Sequence, residues 1–386
     1  MCLKFKGLRA CGRISRSLSL FVLLFIFSAV PAYAYKVGGV DVHLVPSVHF
    51  TFDDNVGYDH ENEIDDFIYI LRFGLKADYE AKTESLSFLG HFNYNKYQDN
   101  ERFDNWSQDF TVSFLKEFSE YLRLELSDRF EHAEEPSSFE DEFGRDEGRY
   151  SFVSNTITAS LSKDVSKYLT LSGSYSNNIY DASREETDDS YYNSLALRAD
   201  YLFSSHLTLQ GFYRFSHRTY QGPGTIYFNT LALGSRYYFN SRLYADLTGA
   251  ADFIHTLDGE DIVRPLFLGK LTRELDERSR AYLSFSRRST AGATTQALFE
   301  RWQFAIGADS QLFRRLYGFT ELFYGEGEYD RLKIDDEFHG VSLGIVYEIN
   351  EDTTVEARYS FSRTDSNLYT RDYKKNHFSL GLTREF

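Results

Sequence analysis

Leu207-Thr208-Leu209-Gln210-Gly211-Phe212-Tyr213-Arg214-Phe215 places Leu207, Leu209, Gly211, Tyr213 and Phe215 on one face and a more polar set on the other. A period of two over this length predicts a β-strand with one apolar face. The flanks decide what kind of sheet it joins. Before it lies a two-residue break, Ser204-Ser205, and after it a longer polar stretch, 217–225. A further strand then ends at another very short break, Asn240.

Outward from this stretch the pattern repeats at Leu122-Arg123-Leu124-Glu125-Leu126-Ser127, from Leu243 to Ala251 and from Val355 to Phe361. Strand segments are expected to begin near residues 42, 67, 86, 107, 121, 151, 168, 191, 206, 227, 241, 261, 279, 298, 316, 336, 352 and 375. The stretches 261–273 and 314–324 alternate poorly and are assigned from spacing. Short connections at 82–85, 119–120, 165–167, 204–205, 240, 276–278 and 350–351 alternate with long polar ones. The long ones fall at 57–65, 98–106, 132–149, 181–190, 217–225, 255–260, 289–296, 325–335 and 364–374. This rhythm predicts an all-β fold: a transmembrane up-and-down antiparallel β-barrel of about 18 strands (16–18), with short periplasmic turns and long extracellular loops. A soluble sandwich explains the alternation but not the two connection lengths, and an open sheet this wide would expose its edges.

Composition agrees. The 386 residues include 35 Phe and 29 Tyr, and aromatic residues favour strands. A net charge of −16 and a pI near 5.1 exclude binding to nucleic acid through its phosphates. A mean hydropathy of −0.43 excludes a bundle of membrane helices. Only the N-terminus is continuously apolar. Lys4, Lys6, Arg9, Arg13 and Arg16 precede the run Leu18 to Val30, and Pro31-Ala32-Tyr33-Ala34 follows it. That order predicts a cleaved signal peptide over 1–34 and a barrel over 35–386. Cys2 and Cys11 both lie in the peptide, so the exported chain is expected to carry no disulfide, thiolate metal site or cysteine nucleophile.

If the apolar faces meet lipid, the opposite faces line the lumen. Lumen-lining candidates are Arg72, Lys76, Arg123, Arg198, Arg214, Arg236, Arg242, Arg280, Arg288 and Arg358, with Tyr238, Tyr244 and Tyr282 able to stack on sugars. The same faces carry Asp78, Glu125, Asp200, Asp246, Asp252 and Glu356. The basic excess suits a wall that favours anionic solutes; a cross-strand lattice of ion pairs is the alternative. The acidic loop 132–149 reads as solvated and self-repelling. It is also the one connection of sufficient length to fold inward as a constriction. No HExxH, GxSxG, P-loop or dinucleotide fingerprint occurs, so no enzyme activity, catalytic residue, metal site or cofactor is expected. The final strand carries Phe378, Leu380 and Leu382 on one face and ends at Phe386. It has the form of the signal read by bacterial barrel-assembly machinery, with Arg384 as a departure.

Near the start stand Val45-Pro46-Ser47-Val48, Phe52-Asp53-Asp54-Asn55-Val56, Gly74-Leu75-Lys76-Ala77-Asp78-Tyr79 and Phe92-Asn93-Tyr94-Asn95-Lys96-Tyr97. On these residues the chain resembles β-barrel porin families associated with exopolysaccharide biosynthesis and export in the Gram-negative outer membrane. The resemblance implies a conduit or accessory barrel for exopolysaccharide secretion, with periplasmic polysaccharide-export proteins as partners. A general diffusion porin for small solutes, or a barrel sheath or scaffold for a surface or redox partner, are the rivals. Outer-membrane lipid, lipopolysaccharide and the assembly machinery are the other expected partners.

Overall fold

The computed structural model describes residues 35–134, 149–183, 189–222, 224–292 and 297–386. The expected signal peptide therefore lies outside the described residues, as does most of the acidic loop. Twenty strands form one antiparallel sheet. The first seven are β1 Tyr35–Val37, β2 Val40–Leu44, β3 Ser47–Asp53, β4 Asp66–Glu80, β5 Glu84–Tyr97, β6 Asn105–Ser119 and β7 Leu122–Ala133. Then come β8 Phe152–Ser166, β9 Leu169–Ala182, β10 Ser190–Ser204, β11 Leu207–Tyr220, β12 Gly224–Asn240, β13 Leu243–His255 and β14 Asp261–Asp276. The last six are β15 Ser279–Ala291, β16 Leu298–Phe313, β17 Leu316–Tyr329, β18 Ile334–Glu348, β19 Thr353–Ser366 and β20 Tyr373–Arg384.

Both β2 and β3 pair with β4, and Val45 between them exchanges backbone hydrogen bonds with Gly74, so they are one barrel strand. Strand β3 also pairs with β20, which closes a barrel of 18 strands. The short β1 pairs only with β2. Every strand start lies within three residues of its expected place, including the poorly alternating 261–276 and 316–329.

Pro46 interrupts the closing seam without breaking it. Its carbonyl accepts from Arg384 N at 3.1 Å, while Leu44 and Phe386 exchange two bonds beside it. The proline thus removes one donor from a ladder that is otherwise continuous. It stands within the first barrel strand rather than at its beginning. Asp53-Asp54-Asn55 ties the same seam at the other end. Asn55 N donates to Asp53 at 2.9 Å, and Asn376 donates to Asp54 from both N and Nδ2 at 2.6 Å.

The long connections are shorter than the sequence indicated. Residues 217–220 and 224–225 belong to β11 and β12, and 325–329 and 334–335 to β17 and β18. On β17 and β18 these extensions point Glu326, Glu328, Asp335 and Glu337 outward. Strands that rise beyond the lipid keep their ladder but lose the apolar outer face, so period two vanishes where the strand does not.

One loop gathers its first three backbone N–H groups around a single buried carboxylate, with Asp104 tying its far end to Tyr97 N and Lys96. Asp66, buried at the start of β4, accepts from Gln98 N at 3.0 Å, Asp99 N at 3.1 Å, and Asn100 N and Nδ2 both at 2.9 Å. Hydrogen bonds to a charged group contribute about 1.5–3 kcal/mol. Asp66→Ala is therefore expected to free the 98–104 loop for proteolysis at extracellular sites, while the barrel keeps its resistance to unfolding on cold gels. An unchanged cleavage pattern would show that the loop is held elsewhere.

Candidate functional site in the barrel lumen

Within each strand the register separates two faces. One carries the exposed apolar residues, among them Phe73, Phe92, Leu195, Leu233, Ile306 and Leu322. In a soluble protein so extensive an apolar belt would be an aggregation surface; around a closed barrel it is the lipid-facing band. The other face encloses a cavity of about 710 Å³ lined by Arg72 (β4), Asn93 (β5), Asp109 (β6), Arg129 (β7), Arg358 (β19) and Lys375 (β20). These strands span more than a third of the circumference, from β19 across the closing seam to β7, and only the concave inner face lets them share one cavity.

The expected inner residues fall into two groups. Most are paired locally. Arg123 meets Glu125 at 3.0 Å, Arg198 meets Asp200 at 2.8 Å, Arg236 meets Asp246 at 2.6 Å and Arg280 meets Asp309 at 2.7 Å. Lys76 lies between Asp78 and Glu385, and Arg358 contacts Glu356. These pairs are part-exposed and contribute little stability each, but they neutralise the wall along the periplasmic half. Arg72, Arg214 and Arg288 have no carboxylate at ion-pair distance among the described residues. Arg72 Nε donates to Asn93 Oδ1 at 2.7 Å, Arg214 approaches Thr230 Oγ1 at 3.5 Å, and Arg288 stands directly opposite Arg301 in the ladder. Arg242 sits on the turn between β12 and β13, at the periplasmic rim rather than on the wall.

The tyrosines form a strip with cations. The Tyr238 and Tyr244 rings are 5.4 Å apart, Arg236 lies over Tyr244 at 5.0 Å, and Lys270 over Tyr282 at 4.2 Å. The Tyr282 hydroxyl donates to Glu321.

A hydroxyl wall was missed in the sequence. Ser154, Thr156, Thr158, Ser160 and Ser162 on β8 face inward beside Thr170, Ser172, Ser174 and Ser176 on β9. Thr158 pairs with Ser176, and Ser162 with Ser172, at 3.2 Å between oxygens. A second cavity of about 340 Å³ opens against this wall. Small side chains leave room there, whereas Phe319, Phe323 and Phe338 fill the inner face across the barrel. Its signal was a Ser or Thr at every second position through 154–162.

Toward the extracellular end the inner side chains become buried and tightly partnered. Lys375 meets Asp53 at 2.8 Å and Arg371 meets Asp336 at 2.8 Å, both pairs almost sealed from solvent. The lumen is also narrowed by the upper ends of β15 and β16, which fold inward. Ala291 and Leu298 are buried against Tyr220, Ile226, Phe228 and Ile254 of the inner wall, and the Tyr220 hydroxyl donates to Gly292 O at 2.6 Å. The inward element observed is thus the pair of strand ends 288–292 and 297–301. In the 132–149 connection, 135–148 lie outside the described residues, and its ends Glu134 and Arg149 reach the cavity.

At the assembly strand, Phe378 and Leu380 lie on the exposed outer face and Phe386 pairs with Leu44. Leu382 and Arg384 share that outer phase, opposite Val48 and Pro46.

The sequence family described as "Putative beta-barrel porin 2" matches residues 286–386, the strands from β15 to β20, and not the Val45–Tyr97 stretch on which the resemblance rested. No curated protein matches. Among solved structures the barrel is similar to OccK2 (OpdF) of Pseudomonas aeruginosa, at 11% identity and a TM-score of 0.53, covering 90% of this chain and 97% of that one. It is similar also to Pseudomonas aeruginosa OpdK with vanillate, at 10% identity and a TM-score of 0.53, covering 91% and 100%. A third, OccK2 in complex with glucuronate, shares 12% identity at a TM-score of 0.52, covering 90% and 98%. At such identities the likeness is one of fold. The chain has the closed 18-strand fold of the porin-type β-barrels, and its C-terminal strands match a β-barrel porin family.

Proposed function

We propose that the barrel is a passive channel for small anionic solutes of about the size of a sugar acid. The observation that carries this reading is the 710 Å³ cavity, in which Arg72 donates to Asn93 and makes no direct ion pair among the described residues, although Asp109 shares the cavity. A charge on a low-dielectric wall is focused into the lumen and raises the local concentration of anions. Arg129 and Arg358 share the cavity, each beside a carboxylate (Glu131 and Glu356), and Asn93, Asn95 and Ser107 offer hydrogen bonds that a hydroxylated solute can exchange. A volume in this range suits one small ligand rather than a continuous polymer. That two similar barrels were solved with vanillate and glucuronate, both small carboxylates, is consistent with the reading. No step requires catalysis.

The Tyr238, Tyr244 and Tyr282 strip favours a second reading, passage of exopolysaccharide delivered by periplasmic export proteins, because aromatic faces and hydroxyl walls both suit sugars. Export through a cleaved 1–34 peptide, recognition of Phe378, Leu380, Leu382 and Phe386 by the assembly machinery, and contact with lipopolysaccharide belong to the same proposal.

The test is planar-bilayer recording of the refolded barrel. The expected result is a steady conductance preferring anions, with a preference that falls at least about threefold in Arg72→Gln, as the loss of one wall charge in a medium of intermediate dielectric requires. A cation-preferring pore, or one indifferent to Arg72→Gln, would overturn the first reading. Block by the host's own exopolysaccharide, with no effect of glucuronate, would replace it with the second.

A further inference from the structure

The wall is not equally sealed around its circumference. At the extracellular end of every other strand boundary, one of the two strands stops within one residue of the last rung. Between β14 and β15 the ladder ends at Phe267 and Arg287, yet both strands run on, over 261–266 and 288–291. Pro265 explains the stop. Glu274 N donates to Arg242 O, just before β13, so the even residues of β14 point their backbone groups toward β13 and the odd ones toward β15. Pro265 is therefore the residue whose N–H would have made the next rung, opposite Ser289.

The two free edges overlap. Ala291 and Leu298 share the outward phase of Leu283, Phe285, Phe304 and Ile306, yet they are buried against inner-face residues of β11 to β14. The arm above Arg287 thus lies inside β14, as a lapped joint. An ionic clasp holds the lap. Glu300 receives Arg264 at 3.1 Å and Arg287 at 2.5 Å, and Arg264 also reaches Asp330 at 3.0 Å. All of these side chains are part-exposed, so the clasp is weak.

We propose that the wall opens sideways at this joint and that the opening admits a single-chain anionic amphiphile between the lumen and the outer leaflet. Elsewhere the inner wall carries charges, hydroxyls and amides, with separate apolar patches such as Phe319, Phe323 and Phe338 that no gap in the ladder adjoins. Here, separating the lap would uncover Ile226, Phe228, Ile254, Ala291 and Leu298. These residues would join the exposed Val263 and Phe267 on the lipid side. An acyl chain would then meet apolar surface along the whole path, which a sugar or an ion would not favour. Arg264 and Arg287 stand at the lip, placed to exchange Glu300 for the carboxylate or phosphate of a head group.

The experiment uses the full barrel refolded in vesicles with Ser289→Cys carrying a bimane. The exported chain is expected to have no other cysteine. Bromododecanoate should quench the probe saturably, and bromoacetate at the same concentration should not. Pro265→Val restores the missing donor, and one added rung should reduce that quenching roughly fivefold. A bimane on Ser172→Cys, on the fully paired wall at β9, should show neither effect. If labelled Ser289→Cys fails to fold, a bimane on Val263→Cys reads the same slot from its outer lip. Equal quenching by bromoacetate, no quenching at all, or quenching unchanged in Pro265→Val would overturn the proposal. Ion conductance of the same vesicles reports the axial channel separately, so failure of the side path and failure of the solute-channel reading are distinguishable.

Discussion

Lys375→Met is expected to cost about 3–5 kcal/mol of folding stability, because it strips the partner from a carboxylate that solvent cannot reach. Asp53 is 1% exposed and Lys375 is 7% exposed, at 2.8 Å from each other. The lysine also lies 3.7 Å from the centroid of the Tyr58 ring, which favours the charged form at that spot. Met preserves length and apolar stem and removes only the charge. Asp53 would retain the hydrogen bond from Asn55 N, which cannot replace an ammonium. The double variant Asp53→Asn/Lys375→Met should recover much of the loss, since deleting both charges removes the desolvation penalty together with the attraction. Urea titration of the refolded barrel in vesicles measures all three. A loss below about 1 kcal/mol for Lys375→Met would mean that the pair is hydrated, as surface pairs are.

That pair illustrates what a sequence can and cannot reveal. Asp53 was visible as part of the Phe52–Val56 stretch and Lys375 as one more polar residue where the last strand was expected to begin. Their contact requires the first and last barrel strands to meet in one particular register, with Asp53 opposite His377. The strands themselves were legible because the lipid imposes period two on their outer faces. Their extracellular extensions were not, because Glu326, Glu328, Asp335 and Glu337 replace the apolar outer face of β17 and β18 there, and the outward apolar alternation that marks a membrane strand is gone.

The inner wall shows the same division. Parity alone put Arg72, Arg123, Arg198, Arg236, Arg280 and Arg358 opposite an apolar face, but which of them meets a carboxylate depends on register. Arg236 finds Asp246 directly across the ladder, while Arg198 finds Asp200 two residues on in its own strand. The serine and threonine wall went unnoticed because small polar residues satisfy the alternation without suggesting chemistry. The inward arm was concealed differently, since Ala291 and Leu298 fit the outward phase. The clue was Pro265, a proline inside a strand assigned only by spacing.

Two arginine insertions should separate the faces functionally. Leu233, on the outer face of β12, is 74% exposed and is flanked by Leu209, Leu231 and Leu247, so its surroundings in the cell are acyl chains. Leu233→Arg should destabilise the barrel by about 2–4 kcal/mol, the cost of a guanidinium near the middle of the lipid band. Ser160, on β8, faces the 340 Å³ cavity between Arg123–Glu125 and Arg198, where water and carboxylates are at hand. Ser160→Arg should leave stability within about 0.5 kcal/mol, the usual range for a solvated position, and instead lower single-channel conductance while strengthening the preference for anions. Urea titration and bilayer recording on the same two proteins give four values. If Leu233→Arg were silent in folding and Ser160→Arg silent in conductance, the inside and outside of the barrel would have to be exchanged, and with them the claim that the Arg72 cavity lies on the path of a solute.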